Sequence, residues 1–123
     1  MDIVHINPEE RIPMPGGTLR GTPPRDFSRD PHLWPDTVAP THAQARVVLA
    51  IARSLQRHID ERGWSLREVS VLTGVNRQVI ANLLAGRSWV DVVTVSLLED
   101  GLDAVLWPGA GTRASVAALG PGM

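Results

Sequence analysis

Residues 41–107 carry a repeated pattern in which a helix-capping residue opens a short apolar segment and a glycine closes it. Capping side chains satisfy the first free N–H groups of a helix, and glycine readily adopts the positive φ that ends one. The candidate caps are Thr41 with Gln44, Ser65 with Glu68, Asn76 and Asp91, and the candidate stops are Gly63, Gly74, Gly86 and Gly101. The two paired caps have the spacing of a capping box. The pattern predicts helices over about 42–62, 66–73 and 77–85, and a fourth that starts after Asp91 and is ended by Gly101 and Pro108.

Apolar residues recur at helical spacing inside each of these segments, so each predicted helix has one buried face. The predicted inward positions are Val48, Ile51, Ala52, Leu55 and Ile59 in the first helix, Val69 and Leu72 in the second, Ile80, Leu83 and Leu84 in the third, and Val92, Val95, Leu98 and Leu102 in the fourth. Residues 105–107 follow as a short fifth helix or a strand. The sequence therefore predicts an all-α bundle of four to five helices over residues 41–107.

The first forty residues differ in character, because eight of the ten prolines of the chain lie there. Proline removes a backbone donor and disfavours helix in the residue before it. We therefore expect residues 1–40 to be a largely irregular arm with one short strand at residues 3–6. We expect Phe27, Leu33 and Trp34 to be apolar anchors that dock on the domain or on a protein partner, and the remainder of the arm to be mobile. Residues 108–123 are rich in glycine and alanine and are expected to form a flexible tail.

The composition offers no chemistry for catalysis. The 123 residues include no cysteine, which excludes a disulfide, a thiolate nucleophile and a cysteine-bound metal. The four histidines lie far apart, without the paired spacing of a metal site, and no acidic cluster accompanies them. Residues 109–114, with Gly109 and Gly111, superficially fit a dinucleotide fingerprint, but too few residues follow for the required helix and second strand. We expect no enzyme activity, no metal and no cofactor.

No segment of the sequence predicts export or membrane insertion. The N-terminus is acidic and is interrupted by Pro8, unlike the basic start and apolar centre of a secretory signal. The longest aliphatic run, residues 47–52, is far shorter than the roughly 20 residues that a membrane helix needs. These features favour a cytoplasmic protein, as does the absence of cysteine.

The two short helices on either side of Gly74 form the most informative motif. Their tight glycine turn presents the second helix as a protruding rod, a shape that fits a DNA major groove. Over residues 65–87 the sequence resembles the lambda-repressor and Cro-like helix-turn-helix family, also called the XRE family, and the resemblance extends from about residue 46 to 107. It is carried by Gly74 and Val75 at the turn, Ile80 and Leu83 in the second helix, Gly86 and Arg87 after it, and Thr94, Leu98 and Leu102 in the next helix.

This resemblance implies a sequence-specific transcriptional regulator, most simply a repressor, that reads operator DNA with helix 76–85. By position, the base-contacting residues would be Arg77, Gln78 and Asn82, and the phosphate-contacting residues would be Arg67, Asn76 and Arg87. Arginine suits guanine, and glutamine and asparagine suit adenine, whereas phosphate contacts position the helix without reading sequence. The alternative for the first three is that they only solvate an exposed helix face. We expect Trp64 in the core, and Trp89 as a lid on the core rather than a contact to the DNA backbone.

Charge is unevenly distributed along the predicted domain. Residues 62–90 contain four arginines against Glu68 alone, a net charge of +3, whereas residues 91–107 contain four acids and no arginine, a net charge of −4. A basic surface suits DNA, but so few cations imply weak non-specific affinity, so a homodimer on a two-fold site is expected. The first candidates for the dimer surface are Val105, Leu106 and Trp107, and the second are Ile3, Val4 and Ile6.

A protein-interaction module, such as an antitoxin or adaptor on the same scaffold, is the alternative function. Leu66 stands where the family usually has a phosphate-binding glutamine, and the predicted domain has no net charge. Two further positions depart from the family pattern: Glu99 replaces a small alanine, and Val90 replaces a proline before the fourth helix. The basic residues of the arm, Arg20, Arg25 and Arg29, either reach a minor groove or belong to a plain disordered arm, and the acidic balance of the arm favours the second.

Overall fold

The structure, a computed structural model, describes residues 21–109. It contains four α-helices, namely α1 (Ala43–Arg62), α2 (Leu66–Thr73), α3 (Arg77–Leu84) and α4 (Val92–Leu102), preceded by two short 3-10 helices, Pro24–Phe27 and Pro31–Leu33. Residues 21–109 contain no strand, so the predicted all-α fold is confirmed. None of these helices is long and apolar enough to cross a membrane. The strand predicted at residues 3–6, Arg20, and the tail beyond residue 109 lie outside the described residues.

Three of the four predicted helix caps are present. Ser65 and Glu68 form a complete capping box, in which the N–H of Glu68 donates to Ser65 Oγ at 3.0 Å and the N–H of Ser65 donates to Glu68 Oε1 at 2.7 Å. Asn76 caps α3 and Asp91 caps α4, each through its side-chain oxygen. These caps satisfy N–H groups that the helices themselves leave free.

The cap of α1 was predicted wrongly. His42, rather than Thr41, occupies the N-cap position, and its Nδ1 accepts the N–H of Ala45 at 3.3 Å. The ring of Phe27 stacks on the imidazole of His42, with centroids 4.3 Å apart. This contact holds the imidazole at the start of α1. The N-cap of α1 therefore lies one residue later than the predicted N-cap, Thr41.

A single hydrophobic core joins all four helices, and most of the predicted inward residues are in it. Leu72 and Val92 are the exceptions, because their side chains are 48% and 67% exposed. The inward face of α2 instead runs from Val69 to the buried Thr73. Thr73 is accommodated because its Oγ1 donates to the carbonyl of Val69 at 2.7 Å and accepts the N–H of Val75 at 3.1 Å.

Gly101 lies within α4, where the helix crosses α2. A Cβ at this position would lie 2.5 Å from the carbonyl oxygen of Leu72 and 2.7 Å from the Cα of Thr73. The prediction that Gly101 ends the helix was therefore wrong: α4 continues to Leu102, and Asp103 follows in the left-handed region with φ 53°. The missing side chain lets the backbones of α2 and α4 approach closely.

Residues 105–107 form neither the predicted fifth helix nor a strand. Two side chains bind this irregular segment: Glu99 Oε2 accepts the N–H of Leu106 at 2.7 Å and that of Trp107 at 2.9 Å, and Ser54 Oγ donates to the carbonyl of Val105 at 3.2 Å. Leu106 enters the core, whereas the flanking Val105 and Trp107 remain exposed. The carboxylate of Glu99 thus satisfies two backbone donors that a helix would otherwise have satisfied.

Residues 21–40, called the N-terminal strap below, pack on the helices. Trp34 is only 7% exposed and belongs to the core. Backbone and side-chain hydrogen bonds join the strap to the domain: the N–H of Arg25 donates to the carbonyl of Gly86 at 3.0 Å, Trp89 Nε1 to that of Thr22 at 3.0 Å, and Arg53 to those of Pro35 and Thr37. The expectation of a mobile or disordered arm is therefore wrong for this part of the chain.

The apolar anchors predicted in the arm behave differently from one another. Trp34 is buried and Phe27 packs on His42 and Trp89, whereas Leu33 stays 48% exposed. The strap remains irregular, as its prolines require, but its backbone donors and acceptors find partners on α1 and on the loop after α3. The buried Trp34 and these long-range hydrogen bonds, rather than local secondary structure, hold the strap on the domain.

We expect the substitution Trp34→Ala to lower the free energy of unfolding by about 3–5 kcal/mol, the usual cost of emptying a large buried site. The matched control is Leu33→Ala, which removes an exposed neighbour and should cost far less. Urea unfolding of the full chain, followed by far-UV circular dichroism, measures both. Equal and small losses would contradict the inclusion of the strap in the folding unit.

Gly86 and Gly63 allow a second comparison of a test substitution with a control substitution, because both residues have a positive φ, 70° and 68°. A Cβ at Gly86 would lie 2.6 Å from the Trp34 ring, whereas one at Gly63 would meet nothing within 4 Å. Gly63→Ala should cost about 1 kcal/mol of backbone strain. Gly86→Ala should cost about 2 kcal/mol more, because the indole must move as well. Similar costs for the two variants in urea unfolding would refute the close seating of Trp34.

Candidate nucleic-acid interface

The turn between α2 and α3 sets how α3 is presented. Gly74 adopts φ 79° and donates its N–H to the carbonyl of Ser70 at 2.8 Å, which ends α2. Val75 is buried, and Asn76 then caps α3, with its Oδ1 accepting the N–H of Gln78 at 2.7 Å. A buried anchor between two capped helix ends leaves this turn little freedom, so α3 projects at a fixed angle from α2.

The two faces of α3 have opposite character. Ile80 and Leu83 are buried in the core, whereas Arg77 and Gln78 are exposed in the first turn. Asn76 and Val79 are also exposed. The exposed polar side chains at the start of α3 are therefore available to an external partner. The buried apolar side chains further along α3 anchor the helix to α1.

Asn82 lies one turn after Gln78 and is partly buried. Its Oδ1 accepts two hydrogen bonds, from Gln78 Nε2 at 3.0 Å and from Arg87 Nη1 at 3.2 Å. The main chain strengthens this link, because the N–H of Arg87 donates to the carbonyl of Asn82 at 2.9 Å. Two residues predicted to contact bases and one predicted to contact phosphate are thus joined in one network, called the Asn82 network below.

A shallow depression of about 450 Å³ lies where α2 meets the start of α3. It is lined by Leu66, Ser70, Asn76, Arg77, Gln78 and Ala81. Leu66 packs partly on the core and offers no donor, while Ser70 contributes a hydroxyl that sequence reasoning missed. The signal was available, because Ser70 lies four residues after Leu66 and so shares its face of α2. Arg67 is exposed on α2 but does not line the depression.

The basic side chains of residues 62–90 are all at the surface. Arg67, Arg77 and Arg87 are exposed, and the guanidinium of Arg62 lies 5.1 Å from the ring centroid of Trp64. The one acid of this stretch, Glu68, is engaged in the capping box. The predicted net charge of +3 is consequently presented around α2 and α3.

The aromatic and apolar residues predicted around this surface divide into core and exposed sets. Trp64 and Trp89 are partly buried against the core, as expected. Of the three candidates for the dimer surface, Leu106 is buried in the core, so its side chain is not available to a partner. Val105 and Trp107 are 77% and 43% exposed. Trp107 adjoins Val92, since both line the same groove on α4.

The tight turn and the protruding α3 define a helix-turn-helix. Residues 55–105 match the family model described as Helix-turn-helix. The matched stretch holds α2, the turn, α3 and α4, so this part of the chain is similar to the lambda-repressor-like (XRE) helix-turn-helix family, whose members bind DNA. No match was found among curated proteins or among solved structures.

Proposed function

We propose that the protein is a sequence-specific transcriptional regulator that places α3 in the major groove of operator DNA. The observation that carries this proposal is the exposed polar edge of Arg77 and Gln78 on a capped helix whose opposite face is locked in the core. The exposed arginines around α2 and α3 supply the attraction to phosphates. Occlusion of a promoter by such a domain makes repression the simplest mode of regulation.

Arg77 and Gln78 are the proposed base-contacting residues. A guanidinium donates two hydrogen bonds to guanine O6 and N7, and a carboxamide pairs with adenine N6 and N7. Asn76, Arg67 and Arg87 are the proposed phosphate contacts, because they surround α3 without lying on its central exposed edge. The Oδ1 of Asn76 is used by the helix cap, so its Nδ2 is the donor available to a phosphate.

A homodimer is part of the proposal, because one subunit carries few cations and a two-fold operator doubles the contacts. The proposed dimer surface consists of Val105, Trp107 and Val92, the last of which adjoins Trp107. All three side chains are exposed. They belong to the acidic stretch that follows residue 90, whereas the arginines proposed to contact DNA precede it in the chain.

A second candidate function is a protein-interaction module, such as an antitoxin or adaptor. The observation that favours it is Leu66, which brings an apolar side chain to the depression at the start of α3. That position cannot donate a hydrogen bond to a phosphate. Weak DNA affinity combined with a strong protein partner would follow from such a surface.

We expect Arg77→Ala to weaken binding to operator duplexes by about 1–3 kcal/mol, the value of one bidentate base contact. The duplexes are those that the wild-type protein selects from a randomised pool, and a scrambled duplex measures non-specific binding across a salt series. Arg57→Ala is the matched control, because it removes the same charge from an exposed site on α1 beside Glu99 and Asp100.

Two outcomes would contradict the proposed regulator. Equal weak binding to selected and scrambled duplexes, unchanged by Arg77→Ala, would favour the protein-interaction module. Equal losses for Arg77→Ala and Arg57→Ala would mean that Arg77 contributes only charge. Both outcomes are visible in one fluorescence-anisotropy titration series.

The dimer surface is tested by Val105→Asp, with Val71→Asp as its control. Both valines are 77% exposed, so neither change should unfold the protein. A buried carboxylate is costly to desolvate, so only Val105→Asp should raise the dimer dissociation constant, by at least about tenfold. Sedimentation velocity over a concentration series measures this constant, and an unchanged or equally changed constant in both variants would place the interface elsewhere.

A further inference from the structure

We propose that Asn82 is a positioning residue which fixes the carboxamide of Gln78 in the one orientation that recognises adenine. This inference rests on the proposed function and names the base that α3 selects. It also replaces the sequence expectation that Asn82 itself faces a base. The Asn82 network carries the argument, because each of its hydrogen bonds determines the next.

Arg87 fixes the carboxamide of Asn82. A guanidinium has donors only, so the atom of Asn82 that lies 3.2 Å from Arg87 Nη1 must be the oxygen. The main chain at Arg87, from which this guanidinium extends, is held in place, because the N–H of Arg87 donates to the carbonyl of Asn82 and the preceding carbonyl, that of Gly86, accepts the N–H of Arg25. The orientation of the Asn82 carboxamide therefore depends on the loop after α3 and on the strap that binds it.

Asn82 in turn fixes the carboxamide of Gln78. Its Oδ1 lies 3.0 Å from the end of the Gln78 side chain, and a second oxygen at that distance would repel it. The neighbour must be Nε2, so Nε2 uses one N–H on Asn82 and keeps the other. The remaining N–H and Oε1 of Gln78, which is exposed at the start of α3, form a donor and acceptor pair in a set order.

This ordered pair matches one base edge. Adenine offers an acceptor at N7 and a donor at N6, which complement the free N–H and Oε1 of Gln78. Guanine offers acceptors at both N7 and O6, so Oε1 would face O6 without a hydrogen bond. A Gln78 carboxamide free to turn over by 180° would discriminate less, because it could present its atoms in either order. Asn82 is partly buried behind Gln78, which suits an orienting role better than a reading role.

The test measures base preference rather than affinity alone. Duplexes selected by the wild-type protein are altered at one base pair at a time, from adenine to guanine, to 7-deazaadenine, which lacks N7, or to purine, which lacks the N6 amine. We expect each alteration at one position to weaken wild-type binding by about tenfold or more. Gln78→Ala should abolish the preference at that same position and leave the guanine preference that depends on Arg77.

Asn82→Ala and Asn82→Asp separate positioning from reading. The alanine variant removes the acceptor that orients Gln78, so the adenine preference should fall below about threefold at the position that depends on Gln78. The aspartate variant keeps an oxygen that accepts from both Gln78 and Arg87, so the preference should persist even though its added charge lowers affinity for DNA. Thermal unfolding of both variants accompanies the titrations, so that a loss of fold is not mistaken for a loss of preference.

Results on the Asn82 variants that would overturn the inference are an unchanged adenine preference in Asn82→Ala, a loss at a base pair other than the one lost in Gln78→Ala, and a failure of Asn82→Asp to retain the preference. A wild-type protein that selects sequences but shows no adenine dependent on Gln78 would also refute it while leaving the proposed regulator intact. A wild-type protein with no sequence preference would refute both.

Discussion

The indole of Trp34 occupies the space that a side chain at residue 86 would fill, and this contact joins the strap to the helix-turn-helix. Gly86 permits this contact in two ways. It adopts the positive φ that turns the chain after α3, and it has no Cβ to collide with the indole. The carbonyl of the same glycine accepts the N–H of Arg25. The loop that carries Arg87 is therefore shaped from outside the helix-turn-helix as well as from within it.

A second close approach, at Gly101, sets the position of α2. With no Cβ in the way, α4 packs directly on the backbone of Leu72 and Thr73. Thr73 then bridges the end of α2 and the turn through its hydroxyl, and the capping box fixes the other end of α2. Glycine contacts and polar caps thus act together with the buried Val75 to determine the angle between α2 and α3.

Local features of the chain were predictable from the sequence, and long-range ones were not. Ser65, Asn76 and Asp91 cap helices because the groups they bond lie two or three residues away, and Gly63 and Gly74 end helices for equally local reasons. The seating of Trp34 depends on Gly86, more than fifty residues later, and no local pattern links the two. Helical periodicity alone likewise failed at Leu72, because the choice between Leu72 and Thr73 depends on where α4 crosses.

In the candidate site, too, the local features were predictable from the sequence and the contacts beyond one helix were not. Exposure of Gln78 follows from its place opposite Ile80 and Leu83 on one helix, which spacing alone predicts, and Arg77 is exposed in the first turn of the same helix. The hydrogen bond between Arg87 and Asn82 spans the end of α3, where the chain has left its helical path, so spacing gave no sign of it. Base-reading candidates are thus visible in a sequence, while the groups that orient them depend on the turn that follows.

The strap also has a consequence for the order in which the protein is made. A ribosome completes residues 21–40 before any of the four helices, yet the groups that receive the strap include Gly86 and Trp89, whose indole bonds to a carbonyl 67 positions earlier. Trp34 and Phe27 therefore leave the ribosome before their late partners, Gly86 for Trp34 and Trp89 for Phe27, are synthesised. During that interval the nascent chain exposes two aromatic side chains, which are typical ligands for a chaperone.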